Sequence, residues 1–347
     1  MNGVVRVLVV DDSAYVRKVV KQMLSRSPFI EVVGTARDGE EALDLVNQLN
    51  PDVVTCDLNM PGMDGLAFLK EQMLRRPLPV VIVSIANESG ELALAALDAG
   101  AIDFIQKPTA LATEKIFEVS DELVEKIKAA ANVSMKRLPP ASWRPAPAAA
   151  EPTSKGAGLV DVIVLGISTG GPQALKYLVP QLPANLAVPL AIVLHMPVGY
   201  TEIYARQLDL ISALTVVEAQ EGQVIRPGVV VLAQAGRHLS FRRDRDGEIT
   251  AHLDSRPFDT PHRPSVDVLF QSAAQVFHDR TLGVVMTGMG SDGKQGAAWI
   301  KAQGGMIFTE AEETCAVYGM PASVVEAGLS DKSVPLDRMA RAILEVI

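Results

Sequence analysis

The side chains equipped for chemistry fall into two groups along the chain. In the first, Asp11 and Asp12 end the apolar run at 4–10, Asp57 ends the run at 53–57, Ser84 ends that at 79–84, and Lys107 follows that at 101–106. Continuous apolar runs suit strands buried on both faces, and in a parallel sheet their carboxyl ends are neighbours. Three carboxylates would then converge beside one ammonium. Like charges that close need a cation, and an all-oxygen ligand set favours Mg2+. One carboxylate can serve as a nucleophile toward phosphorus, because the metal and the ammonium neutralise the phosphoryl oxygens. Any one strand-end aspartate more often caps a helix; five residues of these types at successive strand ends favour the chemical reading.

The second group is a serine, a histidine and an aspartate. Ser168 lies in GISTGGPQAL (166–175), between an apolar run and a helix expected to open at Pro172, a residue favoured at the first helical position. The free amides of such a helix start could stabilise an oxyanion. A phosphate-binding loop uses the same geometry, but GISTGG matches neither the dinucleotide fingerprint nor the Walker pattern. His195 closes LAIVLH, and Asp292 lies in VVMTGMGSDGKQG (284–296). Alone, the histidine reads as a satisfied structural residue and the aspartate as a helix cap. Together the three residues support acyl transfer: histidine takes the serine proton, and the carboxylate orients the imidazole. Their order, Ser–His–Asp, and the missing G-x-S-x-G elbow separate them from the α/β-hydrolases.

The elements that must position these residues are α/β throughout. Strands expected at 4–10, 30–36, 53–57, 79–84 and 101–106 alternate with helices at 14–25, 39–49, 65–75, 91–99 and 113–130. Five βα units predict a parallel, flavodoxin-like sheet with helices on both faces, a first domain over 1–130. Residues 131–158 are rich in proline and alanine without apolar periodicity, which reads as a semi-rigid tether. The second domain, 159–347, resumes the alternation, with strands at 160–167, 190–195, 215–218, 229–233, 281–286 and 306–309 and helices from 172 and over 200–212. It is expected to be a doubly wound, mostly parallel α/β domain. The alternating stretch 238–253, with Asp246-Gly247, reads as an inserted β-hairpin.

The chain has 347 residues, enough for two domains, and a net charge of −9. Neither large segment has the basic surplus expected of a nucleic-acid binder. No run approaches the roughly 18 apolar residues of a membrane span, and the N-terminus lacks a signal-peptide layout, so a cytoplasmic protein is expected. The two cysteines, Cys56 and Cys315, have no metal-binding spacing.

Residues 1–130 resemble a two-component receiver domain through VVDDSAYVR (9–17), CDLNMPGMDG (56–65), Ser84 and FIQKP (104–108). The resemblance implies that Asp57 accepts a phosphoryl group and that Asp12, Asp57 and the Asn59 carbonyl hold Mg2+, with Asp11 in support. It further implies that Lys107 contacts the phosphoryl group, that Ser84 and Phe104 form a hydroxyl–aromatic switch, and that the Lys107–Pro108 peptide is cis. On its own, Phe104 would read as a core residue. The second domain is similar to the chemotaxis protein-glutamate methylesterases through GISTGGP (166–172), LHMP (194–197), PHRPSVDVLF (261–270), TGMGSDG (287–293) and YGMP (318–321). That family implies Ser168 as nucleophile, His195 as general acid–base, Asp292 as its orienting partner and the Met289 amide as an oxyanion donor, with no cofactor for hydrolysis. It implies glutamate methyl esters of methyl-accepting chemoreceptors as substrate, a secondary glutaminase activity, a chemotaxis histidine kinase as phosphodonor, and recruitment to receptor arrays. Ile167 replaces the alanine common before the serine, and His238, His252, His262 and His278 match no catalytic position of the family.

Overall fold

A computed structural model describes residues 3–84, 90–107, 113–133, 135, 158–257 and 259–347, with the side chains of 113–118 left aside. The expected tether between 136 and 157 and the expected cis peptide at Pro108 lie outside these residues. Two compact units emerge, residues 1–141 and 142–347.

In the first unit, strands β1 (Val5–Val10), β2 (Ile30–Ala36), β3 (Val53–Cys56), β4 (Val80–Ser84) and β5 (Asp103–Gln106) form one parallel sheet in the order β2-β1-β3-β4-β5. Helices α1 (Ala14–Leu24), α2 (Gly39–Leu49), α3 (Gly65–Arg75), α4 (Gly90–Asp98) and α5 (Thr113–Ala131) alternate with the strands. Their starts follow from local chemistry: Ser13, Asp38 and Asp64 accept the amides of Val16, Glu41 and Ala67. The chain order reverses between β1 and β3, where Val10 pairs with Cys56, so Asp11 and Asp57 leave the sheet at the same level. Gly65 is required where α3 begins, since a Cβ there would lie 1.9 Å from the Asp57 carbonyl oxygen. Helix α5 ends one residue beyond the expected boundary, and Val133 is still buried, so the unit reaches slightly past residue 130.

The second unit holds β6 (Val162–Ile167), α6 (Gly171–Leu178), β7 (Leu190–Leu194), α7 (Thr201–Ile211), β8 (Thr215–Glu218) and β9 (Val229–Leu232). After β9 the hairpin β10 (His238–Arg243) and β11 (Ile249–Asp254) intervenes. The chain continues through α8 (Val266–Phe277), β12 (Thr281–Val285), α9 (Lys294–Ala302), β13 (Met306–Glu310), α10 (Met320–Glu326), β14 (Lys332–Val334) and α11 (Leu336–Leu344). Seven strands pair in the order β14-β13-β12-β6-β7-β9-β8, and every pair is parallel, where a mostly parallel sheet was expected. From β6 the chain moves outward to β7 and the edge strand β8, turns back to β9 between them, then crosses to β12 on the other side of β6, which places the switch point between β6 and β12. The hairpin is antiparallel and turns where Asp244 accepts the amides of Asp246 and Glu248, with Gly247 at positive φ. Helix α6 opens one residue earlier than expected, at Gly171, whose amide donates to the Ser168 carbonyl at 2.7 Å. The central strands β6, β7 and β12 are buried along their whole length.

Candidate functional site

At the switch point of the first sheet, the Lys107 ammonium lies 2.7 Å from Asp11 Oδ2 and 2.8 Å from Asp57 Oδ2, and all three residues are buried. The second oxygens are also engaged: Asp11 Oδ1 accepts the Ser13 amide at 2.9 Å, and Asp57 Oδ1 accepts the Leu58 amide at 2.8 Å. Burial raises the Asp11 carboxyl above its ordinary range despite the ammonium. Burial also works against a charged Lys107, but its bonds to Asp11 and Asp57 prevail and hold its pKa above the usual lysine value. Oxygen atoms of Asp11, Asp12 and Asp57 lie within 4.8 Å of one another. Asp12 and Asn59 line one cavity of about 330 Å3 with Leu58, Met60 and Asp64. One lysine facing three carboxylates leaves negative charge to spare, and the donors are all oxygen; the residues fit Mg2+. Ser84 ends β4 and is buried; Phe104 on β5 pairs with Ile82 and is buried as well.

In the second sheet, Ser168 and His195 follow neighbouring strands at matched positions. Ile167 pairs with Leu194, and the His195 amide donates to the Ile167 carbonyl at 3.2 Å. On the other side of β6, Val285 pairs with Gly166, and the Ser168 amide donates to the Thr287 carbonyl at 2.9 Å. The loop after β12 then carries Asp292 to His195, so the pair closes across the serine's own strand. His195 Nε2 lies 2.8 Å from Asp292 Oδ2. Among the described residues His195 Nδ1 has no hydrogen-bond partner and is buried. A neutral ring in this bond carries its proton on Nε2, leaving Nδ1 as the basic nitrogen.

Asp292 does not cap α9; Gly293 holds that position at φ +96. Its carboxylate accepts from the start of α8, where Ser265 Oγ lies at 2.9 Å and the amides of Val266 and Asp267 at 2.8 and 3.0 Å, and from the Gly293 amide at 3.0 Å. Burial works against its charge, yet the His195 bond and these amides outweigh burial and hold the carboxyl well below the usual range. The Gly288 amide is committed to the Val317 carbonyl, whereas the next amide, Met289, makes no hydrogen bond among the described residues. The Met289 amide is thus uncommitted beside Gly288, the residue packed against Ser168.

Sequence reasoning missed several neighbours. His262 stacks on His195, with ring centroids 4.1 Å apart and planes 23° apart. Ser265 and Asp267 bond the Asp292 loop. Beneath that loop Glu310, fully buried, accepts the Thr287 amide at 2.9 Å and the Thr314 hydroxyl at 3.0 Å. The signal for the first three was PHRPSVDVLF, a motif without individual roles; Glu310 left no signal. Among the described residues no helix is long and apolar enough to cross a membrane.

Both units match known families. The family model for CheB methylesterase matches residues 163–343, and that for the response regulator receiver domain matches 7–118. The chain is 50% identical over 337 residues to protein-glutamate methylesterase/protein-glutamine glutaminase 5 of Myxococcus xanthus, covering 96% of each chain. It is 44% identical to the protein-glutamate methylesterase/protein-glutamine glutaminase of Geobacillus kaustophilus, covering 99% of both. The solved CheB methylesterase catalytic domain of Thermotoga maritima is similar at 38% identity with a TM-score of 0.53, covering 54% of this chain and 99% of that one.

Proposed function

This chain belongs to the CheB methylesterase family and carries a response regulator receiver domain, and from that premise we propose that Ser168 hydrolyses glutamate γ-methyl esters on methyl-accepting chemoreceptors under control of phosphorylation at Asp57. The observation that carries the reading is the His195 ring, tied to Asp292 through Nε2, with Nδ1 buried and, among the described residues, unpartnered one strand from Ser168.

On this reading His195 Nδ1 takes the proton as Ser168 Oγ attacks the ester carbonyl. Negative charge grows on the carbonyl oxygen, where the Met289 amide can donate. The imidazolium then protonates the departing methoxide, and methanol leaves. Water, deprotonated by the same nitrogen, opens the acyl-enzyme and releases glutamate. A receptor glutamine follows the same steps with ammonia as the leaving group, which accords with the double name of the relatives.

In the first unit Asp57 is the proposed phosphoryl acceptor, and Lys107 would hold a phosphoryl oxygen. Asp12, Asp57 and the Asn59 carbonyl, supported by Asp11, would hold Mg2+, which neutralises phosphoryl charge. Ser84 and Phe104 are the proposed switch pair. A chemotaxis histidine kinase is the proposed phosphodonor, and the protein would work in the cytoplasm at receptor arrays.

The test is methanol release from methylated chemoreceptor membranes by the wild type, Ser168→Ala and Asp57→Asn, each with and without a small phosphodonor plus Mg2+. Release should vanish in Ser168→Ala and should respond to the phosphodonor only where Asp57 is present. Wild-type protein that releases no methanol under any condition would end the esterase reading. A full phosphodonor response in Asp57→Asn would end the proposed control.

A further inference from the structure

Helices α8 and α9 exchange carboxylates at their N-termini. Asp292, just before α9, accepts the amides of Val266 and Asp267 in the first turn of α8. Asp267, in that first turn, accepts the amides of Gly293 and Gly296 at the start of α9, at 2.9 and 2.7 Å. The approach is tight, since a Cβ on Gly296 would lie 3.0 Å from Asp267 Cα and 2.5 Å from Phe270 Cβ. Each helix thus fixes the first turn of the other, and Asp292, which holds His195, sits inside the exchange.

We propose that Asp267 is a positioning residue for ester hydrolysis: its carboxylate fixes the Asp292–Gly293 backbone, which keeps Asp292 Oδ2 on His195 Nε2, and its charge stabilises the His195 imidazolium formed during acyl transfer. This rests on the reading of Ser168, His195 and Asp292 given above. The exchange places two acidic groups side by side behind one imidazole. They respond to that crowding unequally. Asp292 keeps its charge because it faces the imidazole and four donors, whereas burial, with the Asp292 charge added, pushes Asp267 up to about 6. Asp267 therefore gains its charge in the range where histidines titrate, and the two groups respond to each other. The other titratable groups facing this cluster are His262, stacked on His195, and His238, whose Nδ1 accepts the Ser265 amide at 3.1 Å.

The experiment compares full-length wild type, Asp267→Asn and Asp267→Ala by two readouts. One is kcat and KM for methanol release against pH. The other is an NMR titration of the His195 ring, which does not depend on turnover. Asparagine keeps an oxygen for the Gly293 and Gly296 amides and removes only the charge. In Asp267→Asn the expectation is a plateau kcat lower by about three- to tenfold with KM unchanged, since the lost interaction acts on the transition state. Its His195 midpoint should fall by roughly half a unit or more. An Asp267→Asn protein with unchanged kcat, pH profile and His195 titration, while Asp267→Ala merely melts earlier, would overturn the proposal, for Asp267 would then be a helix cap alone. Absence of Ser168-dependent hydrolysis in the wild type would instead refute the esterase reading, and the His195 titration would still decide the Asp267 coupling.

Discussion

Gly288 is where the smallest possible addition should do the most damage. A Cβ there would fall 2.7 Å from Ser168 Cβ, 3.1 Å from the Ser168 nitrogen and 2.5 Å from Met320 Sδ. Ordinary carbon contacts lie at about 3.5–4.0 Å, so the methyl group is roughly an ångström too close on two sides. The Gly288 backbone cannot yield freely. Its amide donates to the Val317 carbonyl, and its carbonyl accepts the amides of Gly319 and Met320. Met320 is fully buried, which leaves its sulfur little room to retreat. The serine is the part that must move. Overpacking of this kind costs about 1–3 kcal/mol of stability, whereas displacing a nucleophile by about 1 Å can cost 100-fold in rate. Gly288→Ala should therefore remain folded, with a modestly lower urea midpoint, while kcat for methanol release drops on the order of 100-fold. Adding Met320→Ala removes the sulfur clash but not the serine clash, so kcat should stay low. A Gly288→Ala protein whose kcat is within about threefold of wild type would refute the reasoning, because the serine would then tolerate a methyl group against its Cβ.

Two further outcomes follow from the carboxylates. Burial pushes the Glu310 carboxyl from 4.5 up to about 7, so folding takes up a proton between those values and stability should fall as pH rises through that window. Glu310→Gln cannot ionise; it should lose that slope and gain on the order of 3 kcal/mol over wild type near pH 8, measured by urea unfolding at about pH 5 and 8, and identical pH dependence in both proteins would contradict it. In the first unit, Asp12 is the exposed member of the three-carboxylate cluster. Asp12→Ala should weaken Mg2+ binding at least about tenfold by calorimetry, and unchanged affinity would remove that cluster as the metal site.

Much of the architecture was legible because parallel strands covered on both faces read as apolar runs. β1, β4, β6 and β12 each fall within about two residues of their expected bounds. Helices α2 and α3 match their expected bounds and start from aspartate caps at 38 and 64 that only the structure shows. Beyond 286 the strand at 306–309 was legible as an element, but the rest only as motifs. There α9 starts from a glycine, α10 has seven residues and β14 three, too short for periodicity to register. The same division runs through the site. Ser168 and His195 stand directly after apolar runs, and Asp292 lies in the loop that follows one. His262 and Asp267 contact residues brought from other segments, and Glu310 sits on a strand where a glutamate resembles any polar end residue. Histidine beside histidine, 67 positions apart in sequence, is a fact only folding creates.

The proposed catalytic residues hang from β7, β6 and β12, the three central strands of seven, while the edges are the short strands β14 and β8. Local opening of a protein begins where few partners must be broken, at edges and termini, and reaches the middle of a sheet only when the whole domain comes apart. Fraying at either edge would leave the serine, histidine and aspartate in register. Thermal inactivation of this enzyme should accordingly be all-or-none, with loss of turnover and loss of the native sheet sharing one midpoint, and with no half-active species on the way.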